Sequence, residues 1–187
     1  MRVLMPVPDS DFDVTEVAVP WHVLTAAGHE VVFASERAGA SLTGDPKLLT
    51  GVIFGQLGAE PEPQQFYREM TGTAPFQSPI AWADLQPDQY DGLILAGGHA
   101  PGMRQYLDNS VLRDKIAQFW ALHRPVGAIC HGVLVIASDL IPPSLRRFLG
   151  SIQRVDQASL ADPRTLPHLG SRPWLSSSRA PTPAGRP

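Results

Sequence analysis

The chain has one cysteine in 187 residues, no long apolar run and a formal net charge of only −3. A single cysteine excludes an internal disulfide and suits a reducing compartment. No stretch approaches the roughly 18 apolar residues of a membrane span. The opening Met1-Arg-Val-Leu-Met-Pro-Val-Pro-Asp9 is too short an apolar stretch for a signal peptide, and no small-residue cleavage site follows, so a cytoplasmic protein is expected. The small net charge gives no reason to expect nucleic acid or an anionic membrane as partner. There is no Walker loop, and no G-x-G-x-x-G follows the first apolar run. His22, His29, His123 and His168 show no metal-ligand spacing, and neither a metal nor an organic cofactor is expected.

What is present is a globular composition, 43% hydrophobic and 18% charged, at a length that suits one domain. The averages hide a break near residue 141. Residues 1–141 carry eight basic and sixteen acidic residues, whereas 142–187 carry seven Arg, two Asp and eight Pro. The apolar residues of that second segment show no sustained period, and its Pro content opposes packed elements. It is expected to be a disordered Pro/Arg/Ser-rich tail behind an α/β domain spanning 1–141.

Along the domain, Arg2–Val7 reads as a buried strand, with Pro8–Asp11 as its exit turn. Residues 13–27 carry apolar positions at helical spacing, with Pro20 set to kink or disturb the helix and Gly28 as its cap. Glu30–Ser35 is a second strand, and this βαβ opening predicts a parallel sheet. Residues 36–90 exceed what a crossover needs and predict a lid or side lobe, with short helices over 48–54 and 64–70. Tyr90–Ala96 is a third strand, and Val111–His123 an amphipathic helix. The expected fold is a flavodoxin-like three-layer α/β sandwich with a mostly parallel sheet.

The most informative stretch is Pro125-Val-Gly-Ala-Ile-Cys130-His131-Gly132-Val-Leu-Val-Ile. An apolar strand stops at the only cysteine, and a second apolar run begins two residues later. Ala128-x-Cys130-x-Gly132 has the small-x-nucleophile-x-small layout of a nucleophile elbow. Its thiol falls near a helix N-terminus, where partial positive charge favours thiolate. Two other segments fall at carboxyl ends of strands, where ligands bind in such sheets: the Pro8–Glu16 loop and Gly97-Gly98-His99. Gly97 and Gly98 are either backbone donors for an oxyanion or simply a turn, with the His131 N–H a further donor. His131 is either a general base or a polar cap on the elbow helix. Glu16 either hydrogen-bonds the thiol or is a first-turn glutamate facing the helix dipole.

Ala-Ile-Cys130-His131-Gly, Leu-Ala-Gly97-Gly98-His99 and Glu16-Val-Ala-Val-Pro20 together resemble the DJ-one/PfpI superfamily, over residues 1–140. Gly-Gly-His and the long 36–90 segment bring the chain nearest the heat-shock and glyoxalase III branch. The resemblance implies Cys130 as nucleophile, Glu16 bonded to it, Gly97 and Gly98 in the oxyanion pocket with His99 beside them, and His131 as base. It implies cofactor-free chemistry on small carbonyl compounds, as glyoxalase III or deglycase, and a homodimer. A thiol hydrolase or amidotransferase-like acyl transfer, a redox-sensing chaperone and an inactive truncated member are the rival readings. The superfamily continues past the elbow helix with further strands and a helix. Here the Pro/Arg/Ser segment takes their place, with Asp156 and Asp162 as its only carboxylates, which implies an altered or truncated C-terminus from near residue 138.

Overall fold

A computed structural model describes residues 1–51 and 58–140. The order is β1 (Arg2–Pro6), β2 (Ser10–Phe12), α1 (Val14–Ala26), β3 (Glu30–Ser35), β4 (Thr43–Gly44), α2 (Pro46–Thr50) and α3 (Pro61–Thr71). Then come α4 (Ala74–Gln77), β5 (Ile80–Ala81), β6 (Gly92–Leu95), α5 (Met103–Leu107), α6 (Ser110–Trp120), β7 (Val126–Ala128) and α7 (Gly132–Leu140). The expected tail over 142–187, with Asp156 and Asp162, and the last residues of the helix expected over 48–54 lie outside the described residues.

Five parallel strands form the main sheet in the order β5-β3-β1-β6-β7. Helices flank it, which makes the molecule the α/β sandwich that the βαβ opening predicts. β1 is central because its apolar residues are sheltered on both faces. Val3, Leu4 and Met5 are all buried, and the strand pairs with β3 on one side and β6 on the other. A continuous apolar run is what a parallel strand covered on both sides requires.

The helix α1 starts where the Asp13 carboxylate accepts from the N–H groups of Thr15 and Glu16 at 2.8 and 3.0 Å. That cap satisfies two of the donors that a helix start leaves unpaired. Pro20 sits inside α1 without ending it. Lacking an N–H, it leaves the Glu16 carbonyl, four residues back, without its helical donor. Glu30–Ser35 forms the strand expected of it. The expected exit turn at Pro8–Asp11 instead runs into β2, which pairs in parallel with β4.

Residues 36–90, expected to build a lid or side lobe, place Tyr67, Met70, Phe76 and Trp82 in the same core as β1 and β3. Phe76 packs edge-on against Phe33 at 5.1 Å between ring centroids. The segment also supplies β5, the sheet's outer strand beside β3. No helix among the described residues is long and apolar enough to cross a membrane.

Candidate functional site

From β1 the chain builds outward to β3 and β5, then crosses to the other side of β1 to lay down β6 and β7. This reversal opens a crevice at the carboxyl ends of β1 and β6, the ligand position of open parallel sheets. Glu16 arrives there from the start of α1, Gly97 to His99 from the end of β6, and Cys130 and His131 from the end of β7.

The elbow is built by backbone. The Ile129 N–H donates to the Leu95 carbonyl at 2.9 Å, carrying the β6–β7 pairing up to the turn. The Gly132 N–H then donates to the Ile129 carbonyl at 2.9 Å, closing the chain around Cys130. Cys130 takes φ 51°, the left-handed region that a residue with a side chain enters at a cost of about 1–2 kcal/mol. Gly132 is required for a different reason. A Cβ there would lie 2.2 Å from the Leu95 carbonyl oxygen, so only glycine lets α7 start this close to β6.

Cys130 is exposed, and its Sγ lies 3.5 Å from His131 Nδ1 and 3.8 Å from His99 Nε2. The two imidazoles meet edge to face at 4.7 Å between centroids. Glu16 is clamped behind them. The Gly97 N–H donates to Glu16 Oε2 at 2.7 Å, and the Gly97 carbonyl accepts from the Asp13 N–H at 2.9 Å. One glycine thereby ties the first turn of α1 to the end of β6. The Glu16 carboxyl also lies close enough to the Cys130 thiol for each to influence the other's proton.

Burial raises the Glu16 carboxyl above its ordinary value despite the Gly97 N–H, which holds it down. The Cys130 thiol is raised as well, first by partial desolvation and then by the Glu16 carboxylate, against the His131 N–H, which favours thiolate. The thiolate-favouring helix terminus is therefore opposed by desolvation first and by the Glu16 carboxylate second.

The structure brings together all six residues that the sequence nominated: Glu16, Gly97, Gly98, His99, Cys130 and His131. Two expected donors are already engaged. The Gly97 N–H is spent on Glu16, and the His131 N–H points at the Cys130 sulfur. Sequence reasoning missed Asp13, although Asp13-Val-Thr-Glu16 has the spacing of a helix-capping pair. It also missed Tyr106, fully buried, whose hydroxyl has no hydrogen-bond partner among the described residues and is raised by burial first and by the Glu16 carboxylate second.

Sheet and site define a flavodoxin-like α/β protein with a cysteine elbow at the end of β7, next to the switch point between β1 and β6. The chain belongs to the ThiJ/PfpI-like family, whose model, described as "ThiJ/PfpI family-like", matches residues 7–146. This bears out the resemblance to the DJ-one/PfpI superfamily. A deglycase of Pyrococcus abyssi is 29% identical over 138 residues, 74% of this chain and 65% of the relative. Deglycase PfpI of Pyrococcus furiosus is 26% identical over 129 residues, 69% of this chain and 60% of the relative. The chain spans about half to two thirds of the length of such curated relatives, from 51% to 65%. Glyoxalase III of Candida albicans superposes with a TM-score of 0.55 at 20% identity, over 77% of this chain and 62% of that one, and shares the fold.

Proposed function

We propose that the chain uses Cys130 as a nucleophile on small carbonyl compounds, in the manner of a glyoxalase III or deglycase. The supporting observation is the exposed thiol, held at φ 51° on the elbow, 3.5 Å from His131 Nδ1 and beside a carboxyl that burial has made a better base. A base poised nearer neutrality is the more effective proton carrier.

With a 2-oxoaldehyde, the thiol passes its proton to Glu16 and the sulfur adds to the aldehyde carbon. The resulting alkoxide takes that proton back from Glu16, giving a hemithioacetal and restoring the carboxylate. Glu16 removes the hydrogen on that carbon as a proton, and the neighbouring ketone oxygen gains one, giving an enediol. Return of a proton to the second carbon, with loss of the first carbon's hydroxyl proton, yields a thioester. The first carbon is oxidised and the second reduced, so the electrons balance within the substrate. Water then cleaves the thioester to a 2-hydroxy acid and frees the thiol. His131 Nδ1, 3.5 Å from the sulfur, is placed to relay protons in addition and hydrolysis. With the Gly97 N–H engaged, the N–H of Gly98 is the donor for the alkoxide.

The test is lactate formed from methylglyoxal by full-length protein, Cys130→Ala and Glu16→Gln. Lactate from the wild type that disappears in Cys130→Ala and falls by about 10²-fold or more in Glu16→Gln is expected. No lactate above the buffer rate, or an unchanged rate in Cys130→Ala, refutes the reading.

A further inference from the structure

We propose that His99, Cys130 and His131 form a three-ligand site for one thiophilic divalent metal ion, with zinc the best match. The three ligand atoms, Nε2 of His99, Sγ of Cys130 and Nδ1 of His131, all lie within 4.8 Å of one another. In a tetrahedral zinc site with Zn–N near 2.05 Å and Zn–S near 2.3 Å, neighbouring nitrogen and sulfur stand about 3.6 Å apart. The two nitrogen–sulfur edges here measure 3.5 and 3.8 Å, close to that spacing. The nitrogen–nitrogen edge closes by rotation of the exposed His99 ring, which meets His131 edge to face.

Consecutive residues seldom aim two ligands at one point. Here Cys130, with φ 51°, and His131 bring Sγ and Nδ1 to 3.5 Å of each other. One thiolate and two imidazoles select zinc, and exclude magnesium or calcium, which prefer oxygen. Three protein ligands leave a fourth position for water. The thiol must lose its proton for the Zn–S bond to form. The exchange replaces S–H with S–Zn and leaves one proton on Glu16 or in solvent. Metal in this site occupies the sulfur lone pairs and turns the thiol off as a nucleophile. The inference stands on ligand geometry alone and does not require carbonyl chemistry.

Cobalt(II) titration of the full-length protein, with a non-thiol reductant, reads the site by spectroscopy. A thiolate-to-cobalt charge-transfer band and tetrahedral visible bands, saturating at one equivalent and displaced by zinc, are expected. His99→Gln should weaken binding by about tenfold or more, and Cys130→Ser should abolish the charge-transfer band. Zinc should protect Cys130 from iodoacetamide in the wild type, and less in His99→Gln at the same concentration. Circular dichroism checks that both variants are folded, and His168→Gln should leave the titration unchanged. Absence of the band, more than one equivalent bound, or equal affinity in folded His99→Gln overturns the proposal. So does loss of the band in His168→Gln.

Discussion

Gly132→Ala probes the closest backbone contact that holds the elbow together. The new Cβ would lie 2.2 Å from the Leu95 carbonyl oxygen, 2.7 Å from its carbon and 2.9 Å from the Ala96 carbonyl oxygen. Ordinary contact begins at 3.4 Å, so α7 and β6 must part by more than 1 Å, and every obstructing atom is backbone. No side chain can rotate away, which puts the overpacking cost at about 3 kcal/mol, the upper end of its usual range. Better helix propensity and a less flexible unfolded chain return about 1 kcal/mol. The net loss is about 2 kcal/mol, or a melting temperature lower by about 4–8 °C. Gly28→Ala is the control. It sits at φ 80° with nothing within 4 Å of the added Cβ, so backbone strain alone, about 1 kcal/mol, is expected there. Thermal and urea unfolding of both variants measure the difference. A Gly132→Ala variant as stable as the wild type, or no worse than Gly28→Ala, refutes the account of the elbow.

Glu16→Gln removes the carboxylate that raises the thiol, so Cys130 titrates lower and is alkylated by iodoacetamide faster near neutral pH. An unchanged or slower rate contradicts this coupling. Because the folded Glu16 carboxyl is raised, its contribution to stability is complete below the ordinary carboxyl value and is lost as pH rises through the raised one. The stability difference between wild type and Glu16→Gln, followed by urea unfolding across that window, should shift against the wild type as pH rises. Asp13→Ala removes a helix cap and should cost about 1 kcal/mol by the same assay. Tyr106→Phe deletes a buried hydroxyl with no partner and should be neutral or stabilising by up to about 1 kcal/mol, whereas a clear loss would show that the hydroxyl is satisfied.

The elements legible in the sequence were those whose burial is continuous. The apolar runs at residues 2–7 and 30–35 and the periodic 111–123 each announce an element, because one residue type fills one environment. β2, β4 and β5, of two or three residues, exist through pairing with distant strands, and no local pattern encodes them. The site divides the same way. Cys130, His131 and Gly132 are contiguous, and the switch from strand to helix shows in their neighbours. The bond from Gly97 to Glu16 joins residues 81 positions apart, and His99 reaches Cys130 across 31. For that reason no local spacing encodes the approach of His99 to Cys130 or shows that Glu16 engages the Gly97 N–H.

Among the described residues, β7 pairs with β6 alone, and its three residues are only half-buried. A short strand held along one side opens at a smaller free energy than the whole fold, so hydrogen exchange there is governed by local opening. Such an opening would part Cys130 from the ends of α1 and β6, whereas Phe33 and Trp82 are fully buried elsewhere in the core. The reactive centre therefore has a thermal life of its own, failing before the body that displays it. A sample that keeps its circular dichroism on warming can already have lost its chemistry.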